Sequence, residues 1–225
     1  MKCLFVTGTD AEVGKTISTS LLLQLANSYG YRTAGYKPIA CGCKITPEGI
    51  RNNDALILQK YSSLSLNYSQ INPLTFIEET SPHIVSIREN NPILFSTLSN
   101  GLCELKKIAD WIFIEGAGGW YTPISNNQTY ADWVYLEKIP VILVVGIKLG
   151  CINHAMLTID AIKYRKLKFA GWIANTLIPS YKYYDDYLSI LKKMLPKPFL
   201  GTIPFLKSVN EYVINCNDYL TFPEI

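Results

Sequence analysis

The stretch FVTGTDAEVGKTIST, Phe5 to Thr19, decides the fold. An apolar strand runs into a glycine-bounded loop that closes on Gly14-Lys15-Thr16 and opens an amphipathic helix, which is the order of a phosphate-binding loop. Five residues separate Gly8 from Gly14, where the common pattern has four. The extra residue narrows the candidates without weakening the reading. Backbone N–H groups at the helix start would face a polyphosphate, Lys15 would reach between phosphates, and the Thr16 hydroxyl would sit on Mg2+. The competing reading is a glycine turn without a ligand; a strand before it and a helix after it argue against that.

Working outward, short apolar runs recur with amphipathic stretches between them: CLFVT, TAGYKPI, WIFIEGAGG, VILVVGIK, FAGWIAN and LGTIP. Runs hydrophobic on both faces suit buried parallel strands, and the segments between them are long enough for crossover helices. The pattern is α/β, doubly wound. Clear helices are expected over GKTISTSLLLQLANSYG, stopping at Gly30, over NHAMLTIDAIKYRK with Asn153 as N-cap, and around YDDYLSILKKML, halted by Pro196. Residues 43–53, 72–83 and 119–129 read as loops, and no repeat or low-complexity tract interrupts the chain.

Composition supports this and excludes other classes. A chain of 225 residues, 48% hydrophobic, suffices for a single domain with its own core. With 21 basic and 18 acidic residues and no long run of one sign, nothing points to a nucleic acid partner. The six cysteines lack the paired C-x-x-C spacing of a zinc ribbon and read as free thiols of a reducing cytosol. The start is too short in apolar residues for a signal peptide, and no window is long enough to span a membrane, so a soluble, cytoplasmic protein is expected.

In an open parallel sheet, ligands bind beyond the carboxyl ends of the strands. That rule selects the 8–16 loop, Lys37, Glu115 with Gly116, Gly118 and Gly119, Lys148, Asn175 and Pro204. Glu115 ends an apolar run, where a carboxylate is costly to desolvate unless a cation sits on it, and Mg2+ takes such oxygens. Lys37 precedes a proline that keeps the chain extended; a surface lysine is the alternative. Asp54, in EGIRNNDALILQK, is open between a metal ligand and a helix N-cap. His83 and His154 are two ligands short of a zinc site and read as structural or substrate-adjacent.

With these residues in place, the chain resembles the dethiobiotin synthetase family. The resemblance is carried by VTGTDAEVGKT, GYRTAGYKPIA, TPEGIRNNDA, NPLTF, TSPHIVS, IEGAGGWYTPI, PVILVVGIKLGCINHAMLT and GWIAN, in family order from about residue 4 to 206. It implies a P-loop NTPase-like single domain over residues 1–225 with a mostly parallel seven-stranded sheet, helices on both faces, and a homodimer whose active site lies at the subunit interface. It also implies ATP, Mg2+, CO2 and 7,8-diaminopelargonate as cofactors and substrates, and dethiobiotin, ADP and phosphate as products. The route runs through a carbamate and a carbamic-phosphoric anhydride.

By the same resemblance, Lys15 serves the phosphates and Lys37 the carbamate and the developing phosphoryl charge. Thr16, Asp54 and Glu115 serve the metal. Glu12, Val13, Gly14, Ile17, Gly116, Ala117 and Gly118 belong to the nucleotide site, with Asn175, Thr176, Pro204, Phe205 and Leu206 about the adenine and Glu211 near the ribose. Cys41, Thr122, Gly150, Cys151, Asn153 and Tyr187 take the diamine acid. Two positions depart from the family pattern: Ala11 and Cys41 stand where a hydroxyl residue is common, and a thiol is the weaker hydrogen-bond partner. A ParA or MinD-type ATPase switch shares the expected fold, but it would need a second lysine early in the loop, and positions 9–13 have none. A cobyrinate-amidating relative would need a glutaminase domain for which there is no room.

Overall fold

A computed structural model describes residues 1–206 and 216–223. The six apolar runs all become strands of one sheet: β1 (Lys2–Gly8), β2 (Thr33–Tyr36), β7 (Trp111–Gly119), β8 (Val141–Ile147), β9 (Phe169–Thr176) and β10 (Phe199–Ile203). Their order across the sheet is β10-β9-β8-β1-β7-β2, and every ladder in it is parallel. All six carboxyl ends therefore lie along one edge. The chain leaves β1 to one side for β2 and later returns on the other side for β8, so the switch point falls at β1 and the loop that follows it.

Period-2 alternation divides the core between the two faces. Along β8, Ile142 and Val144 enter the larger core shared with Leu21, Leu22 and Leu25 of helix α1 (Lys15–Ser28). Leu143, Val145 and Ile147 point the other way, into a second core with Ala155 and Ile159 of α7 (Cys151–Tyr164) and Leu191 of α8 (Tyr184–Met194). Among the described residues the other α-helices are α2 (Asn53–Tyr61), α3 (Tyr68–Ile71), α4 (Pro82–Arg88), α5 (Phe95–Lys106) and α6 (Tyr130–Leu136).

Among the described residues the sheet has six strands, not the seven that the resemblance implies. Among the described residues, the outer edge of β10 meets only an isolated antiparallel bridge, Gly201 to Leu220. There the Thr221 N–H donates to the Leu200 carbonyl at 2.7 Å, while the Tyr219 N–H turns back to the Cys216 carbonyl and does not extend the bridge. The segment instead packs inward, with the Phe222 ring 4.7 Å from that of Trp111. Two expected loops also hold structure. Residues 43–53 contain the hairpin β4 (Lys44–Thr46) and β5 (Gly49–Arg51), and residues 72–83 contain β6 (Leu74–Thr75), which pairs in parallel with β3 (Ile39–Ala40).

Candidate active site

The phosphate loop is shaped by its end. Gly14 caps α1 in the left-handed region at φ +90°, with no side chain capping the helix, so the first N–H groups are left open to an anion. A Cβ on Gly14 would collide with the Asn175 amide, which donates from the end of β9 to the Val13 carbonyl at 3.0 Å. Across the loop, Lys148 from the end of β8 holds Asp10 at 3.2 Å. The Lys15 ammonium folds over the loop onto the Asp10 carbonyl, 3.0 Å away. Burial lowers its pKa to about 8, against the pull of Glu115.

Beside the loop sits a cluster of ions. The Lys37 ammonium donates at 2.6 Å to Glu115 Oε1 and at 2.7 Å to Asp54 Oδ2, while the Thr16 hydroxyl donates to Glu115 Oε1 at 2.9 Å. Burial by itself would depress the Lys37 ammonium, but the charges of Glu115 and Asp54 outweigh it and raise its pKa. Burial raises Glu115, with Lys37 acting against it. Asp54 goes the other way: burial would raise it, yet Lys37 holds it below the usual carboxylate range. Glu115 Oε2 is buried without a partner among the described residues.

That orphaned carboxylate oxygen tests the fit of a metal. A buried acceptor with a free lone pair, a second carboxylate at Asp54 and a hydroxyl at Thr16 make a hard-oxygen donor set, and Mg2+ binds through one or two carboxylates plus substrate phosphate. The residues present fit the ion. Asp54 is not the helix cap: Asn52 caps α2, accepting from the N–H groups of Asp54 and Ala55 at 3.0 and 3.3 Å, and frees the Asp54 carboxylate for Lys37.

A cleft of about 650 Å3 opens over this cluster. It brings together Glu12, Gly14, Lys15, Thr16, Ile17, Lys37, Cys41, Asp54, Glu115, Gly116, Ala117, Gly118 and Thr122. Val13 is fully buried and does not line the cleft. Burial pushes the Cys41 thiol up to about 12, so it faces the cleft as a neutral S–H.

Four residues assigned to the diamine acid do not line this cleft. Gly150 and Asn153 are at the start of α7, and Cys151 and Tyr187 pack together in the second core. Asn153 is also not the N-cap; the helix begins at Cys151, capped by Gly150 at φ +88°. Thr176 ends β9, and Pro204, Phe205 and Leu206 follow β10. Glu211 lies outside the described residues. His83 meets the Ser81 hydroxyl at 3.0 Å, and all six cysteines are free.

Sequence reasoning missed the wall opposite the loop: Asn53, Ile57 and the run Glu79 to Pro82. The signal present was TSPHIVS, a motif carrying no role, with Pro82 marking a helix start. It also missed a layer behind Lys37. The Lys37 N–H donates to the Ile71 carbonyl, and the Asn72 amide donates to the Lys37 carbonyl, both at 2.8 Å.

Comparison with known proteins gives the family and the fold. A family model described as an AAA domain matches residues 2–212. ATP-dependent dethiobiotin synthetase BioD 1 of Escherichia coli (strain K12) is 57% identical over 205 residues, 91% of each chain. The ATP-dependent dethiobiotin synthetase BioD of Yersinia pestis bv. Antiqua (strain Angola) is 54% identical over 207 residues, 92% of this chain and 86% of its own. Among solved structures, the MinD cell division protein of Aquifex aeolicus superposes with a TM-score of 0.56 at 13% identity, covering 94% of this chain and 85% of that one. A ParA family ATPase from Chlorobium tepidum gives 0.55 at 14%, covering 92% and 85%. At such identities the last two show the P-loop fold and nothing finer. Among the described residues, no helix is long and apolar enough to cross a membrane. The chain belongs to the ATP-dependent dethiobiotin synthetases, P-loop ligases of biotin biosynthesis.

Proposed function

We propose that this enzyme carboxylates 7,8-diaminopelargonate with CO2 and closes the ureido ring at the expense of ATP. One observation carries the reading: a buried lysine held between two carboxylates at the edge of a phosphate loop. One amine captures CO2 as a carbamate, the carbamate oxygen attacks the γ-phosphorus, and the second amine displaces phosphate from the resulting anhydride. The attack brings two anions together, so the site must supply positive charge on the reacting oxygens. The open N–H groups at Gly14 to Thr16 and the Lys15 ammonium bind the triphosphate. Lys37, released from its carboxylates, serves the carbamate and the transferring phosphoryl group.

Thr16, Asp54 and Glu115 would hold Mg2+. The ion neutralises phosphate charge when bound. Cys41 and Thr122 lie where the diamine end would enter, with Asn175, Thr176 and Pro204 to Leu206 toward the base. The far carboxylate needs a partner that this cleft does not offer, and the α7 start supplies one if two subunits associate. Leu149 and Leu157 lie exposed at and along that helix, as a dimer face would require. The protein is then a homodimer, working as a single domain in the cytoplasm.

Incubation with labelled bicarbonate, ATP, Mg2+ and the diamine acid is expected to yield a labelled ureido product with one ADP per ring. Label uptake without the diamine, or ADP release uncoupled from product, would sink the reading.

A further inference from the structure

Behind the ion cluster lies a second arrangement, centred on Tyr68. Its hydroxyl accepts the Asn52 N–H at 2.7 Å and donates to Asn72 Oδ1 at 2.8 Å. Each asparagine then reaches the cleft. The Asn72 amide donates to the Lys37 carbonyl at 2.8 Å and to the Leu74 carbonyl at 3.0 Å. The Asn52 carbonyl oxygen takes the Asp54 N–H, and its amide donates to the Cys41 carbonyl at 3.2 Å. Lys37 and Asp54 meet again through their side chains. The hydrogen bonds thus form a closed ring: Lys37, Asp54, Asn52, Tyr68, Asn72 and back to Lys37.

Three features show that the ring is a frame and not a chance meeting. Both asparagines are buried, so their amides could not exchange these partners for water. Apart from Asn72 Oδ1, which takes the Tyr68 hydroxyl, the donors and acceptors of the Asn72 and Asn52 amides named above are used by backbone that carries a cleft residue or the strand β6 next to it. The Tyr68 ring is itself held, with the Arg51 guanidinium 4.3 Å above its centroid. Lys37 and Cys41 flank β3 in one segment and Asp54 comes from another, with no backbone ladder between Lys37 and Asp54. The Tyr68 hydroxyl is the group through which the two asparagines meet.

We propose that Tyr68 is a positioning residue that fixes the Lys37 backbone and the start of α2 in one frame, setting where the Lys37 ammonium lies relative to the phosphate loop. The proposal rests on the role given to Lys37 above. Small displacements of a reacting group are costly in rate, about 10²-fold for 1 Å, so the loss of one hydroxyl in this frame should appear in kcat.

The test is a kinetic cycle. Tyr68→Phe keeps the ring and its Arg51 stack and removes only the hydroxyl. It is expected to lower kcat about 10-fold, a partial displacement on the same scale, with KM for ATP within about 2-fold of wild type. In a Lys37→Gln background the same change should cost nearly nothing, because the group it positions is gone. Asn72→Leu, which removes the Tyr68 acceptor and the donor to the Lys37 carbonyl without adding a charge, should show the same kcat loss and the same dependence on Lys37, and serves if Tyr68→Phe does not fold. An equal loss in both backgrounds, or a loss in KM for ATP matching that in kcat, would overturn the proposal. Wild-type enzyme assayed alongside keeps the two readings apart: if it makes no ureido product, the function above is wrong. If it does and the cycle is additive, only the role of Tyr68 is wrong.

Discussion

Strands β2 and β7 run side by side from Thr33 opposite Trp111 to Tyr36 opposite Ile114, and an ion pair stands at each end. At the amino end, Arg32 grips Asp110 with two guanidinium nitrogens, at 2.8 and 3.2 Å, in the open. At the carboxyl end, Lys37 grips Glu115 at 2.6 Å in full burial. The distances are alike and the surroundings are not. The exposed pair fastens two strands in water, where screening and side-chain entropy leave little net gain. The buried pair exists at a desolvation cost that a purely structural clasp would not need. An ion pair placed where it is expensive, beside a phosphate loop, supports the role proposed for Lys37.

The sharpest way to break that comparison is Lys37→Gln. Turnover should fall by about 10²- to 10³-fold, the scale of losing one group that stabilises developing charge, while ATP affinity stays close to wild type. Steady-state kinetics with isothermal titration of ATP decides it. A folded variant with near-normal kcat would reduce the buried pair to a clasp like the other.

How much of this was legible beforehand differs from one residue to the next. The six strand runs, Lys37 and Glu115 could all be read because apolar runs and their end residues are local signals. The seventh strand came from resemblance and from no apolar run of its own, and the sheet of the described residues has six. Asn52 hid because two asparagines precede Asp54 in RNNDA, and the sequence does not say which turns its oxygen inward. The frame around Tyr68 and the wall from Glu79 to Pro82 were invisible for a different reason. Both depend on the short β3·β6 pairing, which joins residues some 35 positions apart and leaves no periodic trace.

Next in size, Glu115→Gln should cost stability on the order of 3 kcal/mol, because Lys37 keeps only the half-exposed Asp54 as a counter-charge. It should also raise the Mg2+ needed for half-maximal rate. Denaturant melts and a Mg2+ titration check the two effects separately. A variant as stable as wild type would mean that the pair returns no more than it costs.

The smallest effect belongs to the exposed pair. Arg32 lowers the Asp110 pKa from 3.8 to about 2 through its hydrogen bonds. A depressed carboxyl contributes stability above its unfolded value and loses it as pH falls, so the wild type should lose this contribution between about pH 4 and 2. Asp110→Asn should flatten that part of the melting profile and leave pH 7 activity intact. A clear loss of turnover would show that the two ends of β7 are not independent.

The ring of side chains about Lys37 has a consequence for how a polyanion arrives. Two ammoniums, Lys15 and Lys37, face two carboxylates, Asp54 and Glu115, and the nearby Asp10 is already matched by Lys148. With Glu12 and Glu79 also on its walls, the mouth of this cleft carries more carboxylates than ammoniums. It therefore cannot draw a triphosphate in from solution as a basic funnel does. Capture must wait for touch, when the directional N–H groups of Gly14 to Thr16 come within reach, and recognition here is a matter of shape at close quarters.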